Sequence, residues 1–230
     1  HFGEKSWKDS ILNLHNPDKD KDINSNYYKR LAYDEILANL LVLSKIRNRI
    51  KRIKKRSKSF TGSLSKYLIS NFGFKLTNNQ KTIIDDIKKD LKSENKMFRL
   101  LQGDVGSGKT IISLIAASNV IESNYQVAFM APTEILAKQH YDLAKKIFMG
   151  TKIKIGFLIG SAKTSDRKKI MNDLSQGKIK LLIGTHILFQ KKIFFNKLGL
   201  IIIDEQHKFG VRQRKQLSDK GGDNCDVLLM

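Results

Sequence analysis

The chain is 230 residues long, enough for one good hydrophobic core and a small satellite, and its 43 Lys and Arg against 22 Asp and Glu give a formal charge of +21. A single cysteine, Cys225, excludes a disulfide framework and a cysteine-based zinc site, and fits a reducing, cytoplasmic setting. No apolar run approaches the ~20 residues that span a bilayer, so no membrane partner is expected; the charge points to a polyanion, although abundant Lys, Ile and Asn make position more informative than the total.

Residues 1–26 are polar and turn-rich, and Asn16-Pro17-Asp18 with the Lys/Asp alternation after it reads as a connector. The chain opens on His1 and stops on the apolar run Val227-Leu228-Leu229-Met230, which reads as a piece of a longer protein. Leu31, Ile36, Leu40, Leu43, Ile46, Ile50 and Ile53 predict a long helix with one apolar stripe. Asp34 and Glu35 sit in its early turns and basic residues in its late ones, the order a helix dipole favours. No acidic residue stands between Glu35 and Asp85, while Lys45, Arg47, Arg49, Lys51, Arg52, Lys54, Lys55, Arg56 and Lys58 crowd one stretch. That stretch is either the solvated face of a helix or a phosphate-tracking surface. Residues 27–75 are thus a helical connector with a loop over 57–65 around Gly62; shorter helices are expected over 64–69 and 82–91.

From residue 98 onward strands and helices alternate. Strands are expected over 98–102, 126–130, 154–159, 180–183, 200–203 and 226–230, and helices over 111–123, 134–148 and 165–176. Strands rich in Ile, Leu and Val without strict alternation are buried on both faces, so an α/β fold with a largely parallel sheet flanked by crossover helices is predicted for residues 76–230. Ligands in such a fold bind at the carboxyl ends of the strands.

Two motifs fall there. Gly103-Asp104-Val105-Gly106-Ser107-Gly108-Lys109-Thr110 fits G-x-x-x-x-G-K-[ST] at every fixed position and lies between a strand and a helix. Its glycines let backbone N–H groups wrap a phosphate, Lys109 reaches the outer phosphates and the Thr110 hydroxyl can ligate Mg²⁺. The strand 200–203 then ends on Asp204 and Glu205, the first placed to hold Mg²⁺ and the second to activate water. The pair defines an ATP or GTP site.

Leu76-Thr77-Asn78-Asn79-Gln80, the loop 101–110, Ala131-Pro132-Thr133-Glu134 and its continuation to His140, Gly184-Thr185-His186, and Asp204-Glu205-Gln206-His207 occur in this order. Together they resemble the first motor lobe of superfamily 2 helicases, and among them the RecG family of branch-migration helicases, over essentially the whole chain. The transcription-repair coupling translocases are the nearest competitor. They carry an aromatic residue where Ser107 stands and Asp-Glu-Glu-Gln in place of Asp-Glu-Gln-His, and the Asp-Glu-Ala-Asp of an RNA helicase is absent.

The resemblance implies a RecA-like P-loop lobe preceded by a long basic helix, with residues 1–26 leading from an N-terminal wedge domain. It implies ATP, with Gln80 reading the adenine edge, although an ordinary glutamine at a helix start has the same appearance. Pro132, Thr133 and Glu134 would meet a DNA phosphate, Gly184 and Thr185 would track the strand, and Gln206 and His207 would relay between nucleotide and DNA. No His or Cys is spaced to make His207 a metal ligand. Lys51, Arg52 and Lys55 become candidate contacts to the arms of forks and four-way junctions, made mostly through phosphates. A second lobe would supply arginines to the γ-phosphate, so these residues alone are expected to bind Mg-ATP, hydrolyse it poorly and not unwind DNA. A coupling-type translocase and an inactive nucleic-acid-binding remnant remain as alternatives.

Overall fold

A computed structural model describes residues 6–15, 25–51, 53–162, 164–205 and 220–230. The chain divides into two compact units, His1–Ile50 and Lys51–Met230.

In the first unit, helix α1 spans Trp7–His15 and helix α2 spans Asn26–Lys51. The helix within 1–26 was not expected, since that stretch has little apolar periodicity. A cap explains it: the Ser6 hydroxyl accepts from the Asp9 N–H at 3.1 Å and donates to the Asp9 carboxylate. Of the stripe's described side chains on α2, Ile36 and Leu40 are largely solvent-facing and Leu31 is half-buried. Ile53, placed on that stripe by spacing, lies beyond the helix. No helix among the described residues is long and apolar enough to cross a membrane.

The second unit begins earlier than the expected boundary at residue 76. Residues 53–60 run as an extended strap beside 91–96: Lys55 N–H donates to Glu94 O, Lys58 N–H to Leu91 O, and Lys96 N–H to Ile53 O. Helix α3 spans Ser63–Phe72, starting inside the expected loop, after Gly62 at φ 82°. It starts there because the Glu122 carboxylate accepts from the N–H groups of Thr61, Gly62 and Leu64, satisfying donors that a helix start leaves open. Helix α4, Asn78–Lys92, opens with a capping box between Thr77 and Gln80.

Six strands follow the expected pattern: β1 Phe98–Leu100, β2 Gln126–Met130, β3 Lys154–Leu158, β4 Ile179–Gly184, β5 Leu198–Ile203 and β6 Asp226–Leu229. They form one sheet in the order β1-β6-β5-β2-β4-β3, and every pairing is parallel. Helices α5 (Lys109–Glu122), α6 (Glu134–Ile147) and α7 (Thr164–Ser175) supply the crossovers, with a 3₁₀ turn at His186–Phe189.

Side-chain alternation divides the core between the two faces. Val127, Phe129, Leu181, Ile183, Leu200 and Ile202 join one cluster with α3, α4 and α5, and Ala128, Met130, Leu182, Ile201 and Ile203 join the other. Helix α5 is buried from Ile111 to Ile121, which explains why it is apolar all round. The whole carboxyl edge of the sheet is thereby left to the connecting loops.

Candidate functional site

The glycine-rich loop leaves β1 directly. Leu101 N–H donates to Leu229 O, extending the β1–β6 pairing, and the loop then turns into α5 with Gly106 at φ 81° and Gly108 at φ 86°. A side chain at either position would be strained, so glycine is required by the backbone. Residues 102–107 are exposed, and Val105 is fully so. Lys109 folds back into the loop, its Nζ donating to Gly103 O at 2.6 Å and Asp104 O at 2.9 Å. A cation thus already sits within the cradle that would take a phosphate.

Gln80 braces this loop from α4. Its Oε1 accepts from Thr77 N–H at 3.0 Å while its Nε2 donates to Ser107 O at 3.0 Å. A Cβ on Gly108 would come within 2.6 Å of the Gln80 amide, so the two pack closely. The carboxamide is therefore committed to the cap and the loop, and its expected adenine contact is a further proposal.

Asp204 follows β5, two strands from β1, which at the usual strand spacing is about 10 Å along the same edge. Its N–H donates to Met130 O at 2.9 Å, and the residue is nearly buried at 8% exposure. An ionised carboxylate can only accept, so His140 Nε2–H donates to Asp204 Oδ2 at 2.7 Å. Glu205 adopts φ 50°, a left-handed conformation that costs a non-glycine residue about 1 kcal/mol and that clusters at functional sites. Gln206 and His207 lie outside the described residues.

These groups fit Mg²⁺ with a nucleotide. Among the described residues no group of three His, Cys, Asp or Glu could hold a metal alone. Mg²⁺ commonly uses one or two protein oxygens plus phosphate oxygens and water, for which Thr110 and Asp204 are suited.

The strand-end loops differ more from expectation. Thr133 caps α6 by accepting from Leu136 N–H at 3.2 Å, and Pro132 is half-buried. Glu134 turns its carboxylate to Ser161, accepting from the hydroxyl at 2.8 Å and the N–H at 3.2 Å. Gly184 is a packing residue: a Cβ there would lie 2.0 Å from Leu158 O, so only glycine lets β3 and β4 approach. The Thr185 hydroxyl is buried, with no hydrogen-bond partner among the described residues.

The expected contact at Lys55 is corrected by its burial. Lys55 Nζ donates to Asp226 Oδ2 at 2.8 Å and to the carbonyls of Asp90 and Leu91, and Lys58 Nζ reaches the same carboxylate oxygen at 2.6 Å. All three side chains are fully buried. Burial lowers the Lys55 pKa, against the pull of Asp226. Lys51 ends α2, and Arg52 lies outside the described residues.

A basic cleft that sequence reading missed lies beyond the carboxyl ends of β3 and β4. It has a volume of about 830 Å³ and is lined by Gly160, Thr164, Arg167, Lys168, Lys191 and Lys192 among others. Lys220 donates to the carbonyls of Gln190, which lines the cleft, and Ile193. Its residues come from two separate segments, each unremarkable in a lysine-rich chain, so only the fold brings them together. His140 was missed for the same reason.

Residues 77–224 match the family model for DEAD/DEAH box helicases. The chain is 44% identical over 202 residues to the ATP-dependent DNA helicase RecG of Thermotoga maritima, covering 88% of this chain and 26% of that protein. It is 40% identical over 225 residues to RecG of Borreliella burgdorferi, covering 98% and 32%. The chain therefore spans about a third or less of the curated relatives it matches. A structure of RecG bound to a three-way DNA junction superposes with a TM-score of 0.77 at 40% identity, over 89% of this chain and 27% of that one.

Proposed function

The chain belongs to the DEAD/DEAH box helicase family, and from that premise we propose that it is the ATP-binding lobe of a DNA motor that remodels forks and junctions. The observation that carries this reading is the placement of Lys109, inside a glycine cradle, on the same sheet edge as Asp204. ATP phosphates would replace the Gly103 and Asp104 carbonyls as partners of Lys109, with the loop amides closing around them. Thr110 and Asp204 would hold Mg²⁺, which when bound offsets charge on the phosphates. Glu205 orients water for attack, and Gln80, already tied to the loop, reports on the adenine.

DNA would lie along the carboxyl edge, meeting the start of α6 at Thr133 and the cleft around Arg167, Lys168, Lys191 and Lys192. Contacts made through phosphates give affinity with slight sequence preference. Branched DNA is preferred over other duplexes in this reading because a similar RecG structure holds a three-way junction. We place the reaction in the cytoplasm, where a lone thiol suits reducing conditions.

Efficient turnover would need a second lobe, since a supplied arginine is worth ~10³–10⁵ in comparable phosphoryl transfer. The test is nucleotide binding and ATP hydrolysis by the 230-residue chain, with and without forked DNA, beside Lys109→Ala. Binding that Lys109→Ala abolishes, with scant hydrolysis, is expected. Brisk, Lys109-dependent and DNA-stimulated hydrolysis would overturn the need for a second lobe; unchanged binding in Lys109→Ala would overturn the site.

A further inference from the structure

We propose that His140 is a positioning residue that sets the carboxylate of Asp204 for Mg²⁺, an inference that rests on the nucleotide-site reading above. Asp204 has little freedom left. β5 and the bond from its N–H to Met130 O fix the backbone. The terminal torsion of an aspartate is broad and roughly two-fold, so backbone placement alone does not aim its oxygens. The bond from His140 Nε2–H to Oδ2 at 2.7 Å fixes that torsion, and with it the direction of Oδ1.

His140 is itself firmly held. It is 7% exposed and stacks on Phe129 of β2, with ring centroids 4.8 Å apart and planes 29° apart. Along α6 it shares the buried face with Ala137, Ala144 and Ile147. The two alanines, one turn on either side, let the helix approach close enough for a short imidazole to reach the end of a neighbouring strand. A surface ion pair would be loose and weak. Here both partners are nearly dry and the ring is packed, the conditions under which a hydrogen bond holds one geometry.

Ligating carboxylates are commonly oriented by such outer partners, and losing one typically costs about 10- to 100-fold in metal affinity. His140 bonds to the carboxylate of Asp204 and packs on Phe129, so its effect should fall on the metal step.

The experiment is calorimetric titration of ADP into the 230-residue chain in EDTA and then across a series of Mg²⁺ concentrations. Parent, His140→Ala, His140→Gln and Asp204→Asn are compared, and each variant's unfolding transition is recorded. In His140→Ala the Mg²⁺ concentration that gives half the metal-dependent gain in ADP affinity should rise at least ~10-fold, while affinity in EDTA is unchanged. His140→Gln, whose amide N–H can still donate to the carboxylate, should recover most of the loss. An unchanged metal response in a folded His140→Ala overturns the positioning role and leaves the nucleotide site intact. So does an equal fall in both affinities in both histidine variants, which marks a purely structural residue. If Asp204→Asn responds to Mg²⁺ as the parent does, the nucleotide-site reading fails and the proposal with it.

Discussion

Asp226 takes two buried ammonium groups on one oxygen while its other oxygen accepts from Met97 N–H at 2.7 Å. Removing the carboxylate would strand two cations in the interior, so Asp226→Ala should lower unfolding free energy by about 3–5 kcal/mol. Urea denaturation measures it. Gly184→Ala should also destabilise, by about 1–3 kcal/mol, because the obstacle is the Leu158 carbonyl and not a side chain that can turn away. Neither role was legible in the sequence. Lys55 and Lys58 belong to a run of basic residues that looks uniform, and their partner lies 171 and 168 positions away. Gly184 stood in a motif read for contact with DNA, which gave no sign of the space the backbone needs beside Leu158. The glycine-rich turn between β1 and α5 was legible because its pattern is local and its glycines are needed by the backbone.

Among the elements, strands were the easiest to read: β2 runs over the residues expected, and β5 begins two residues early at Leu198. That extension includes Gly199, which reads as a strand breaker, yet a Cβ there would collide with the Tyr125 ring. Helix starts were harder wherever the cap came from afar. α3 owes its first turn to Glu122, on α5, and a carboxylate with so many donors leaves no local trace. Desolvation pushes the Glu122 pKa up, but the hydrogen bonds from Thr61, Leu64 and Gly62 together outweigh it and bring it below its usual 4.5. As pH falls past that value the unfolded chain takes up its proton first, so stability present above it is lost through the folded pKa. Glu122→Gln should therefore flatten part of the acid limb in a plot of unfolding free energy against pH. For α4, whose capping box is local, Thr77→Ala should cost about 1 kcal/mol by the same denaturation assay.

At the scale of the whole molecule, the charge of +21 is divided between structure and surface. Lys55 and Lys58 of the strap are consumed internally, whereas Arg167, Lys168, Lys191 and Lys192 line an open cleft. Neutralising cleft residues should reduce the slope of log affinity for DNA against log salt by about 0.9 for each duplex phosphate left without its cation, with stability unchanged. Fluorescence anisotropy across a salt series reads this directly. Replacing Lys55 or Lys58 should instead shift the unfolding transition. Total charge could be read from composition, but its division required knowing which lysines meet a buried carboxylate.

The strap also fixes where a pull on this segment would be borne. Within the second unit, residues 53–60 are fastened through Lys55 and Lys58 to Asp226 at the amino end of β6. Lys109, Asp204 and Glu205 stand at the opposite rim of the same sheet. A pull on residues 53–60 is therefore grounded at the amino ends of the strands, and the length of the neighbouring strands β6 and β1 lies between that anchor and the glycine-rich loop. Such a pull would load the buried Lys55–Asp226–Lys58 attachment first, at the end of the strands away from Lys109 and Asp204.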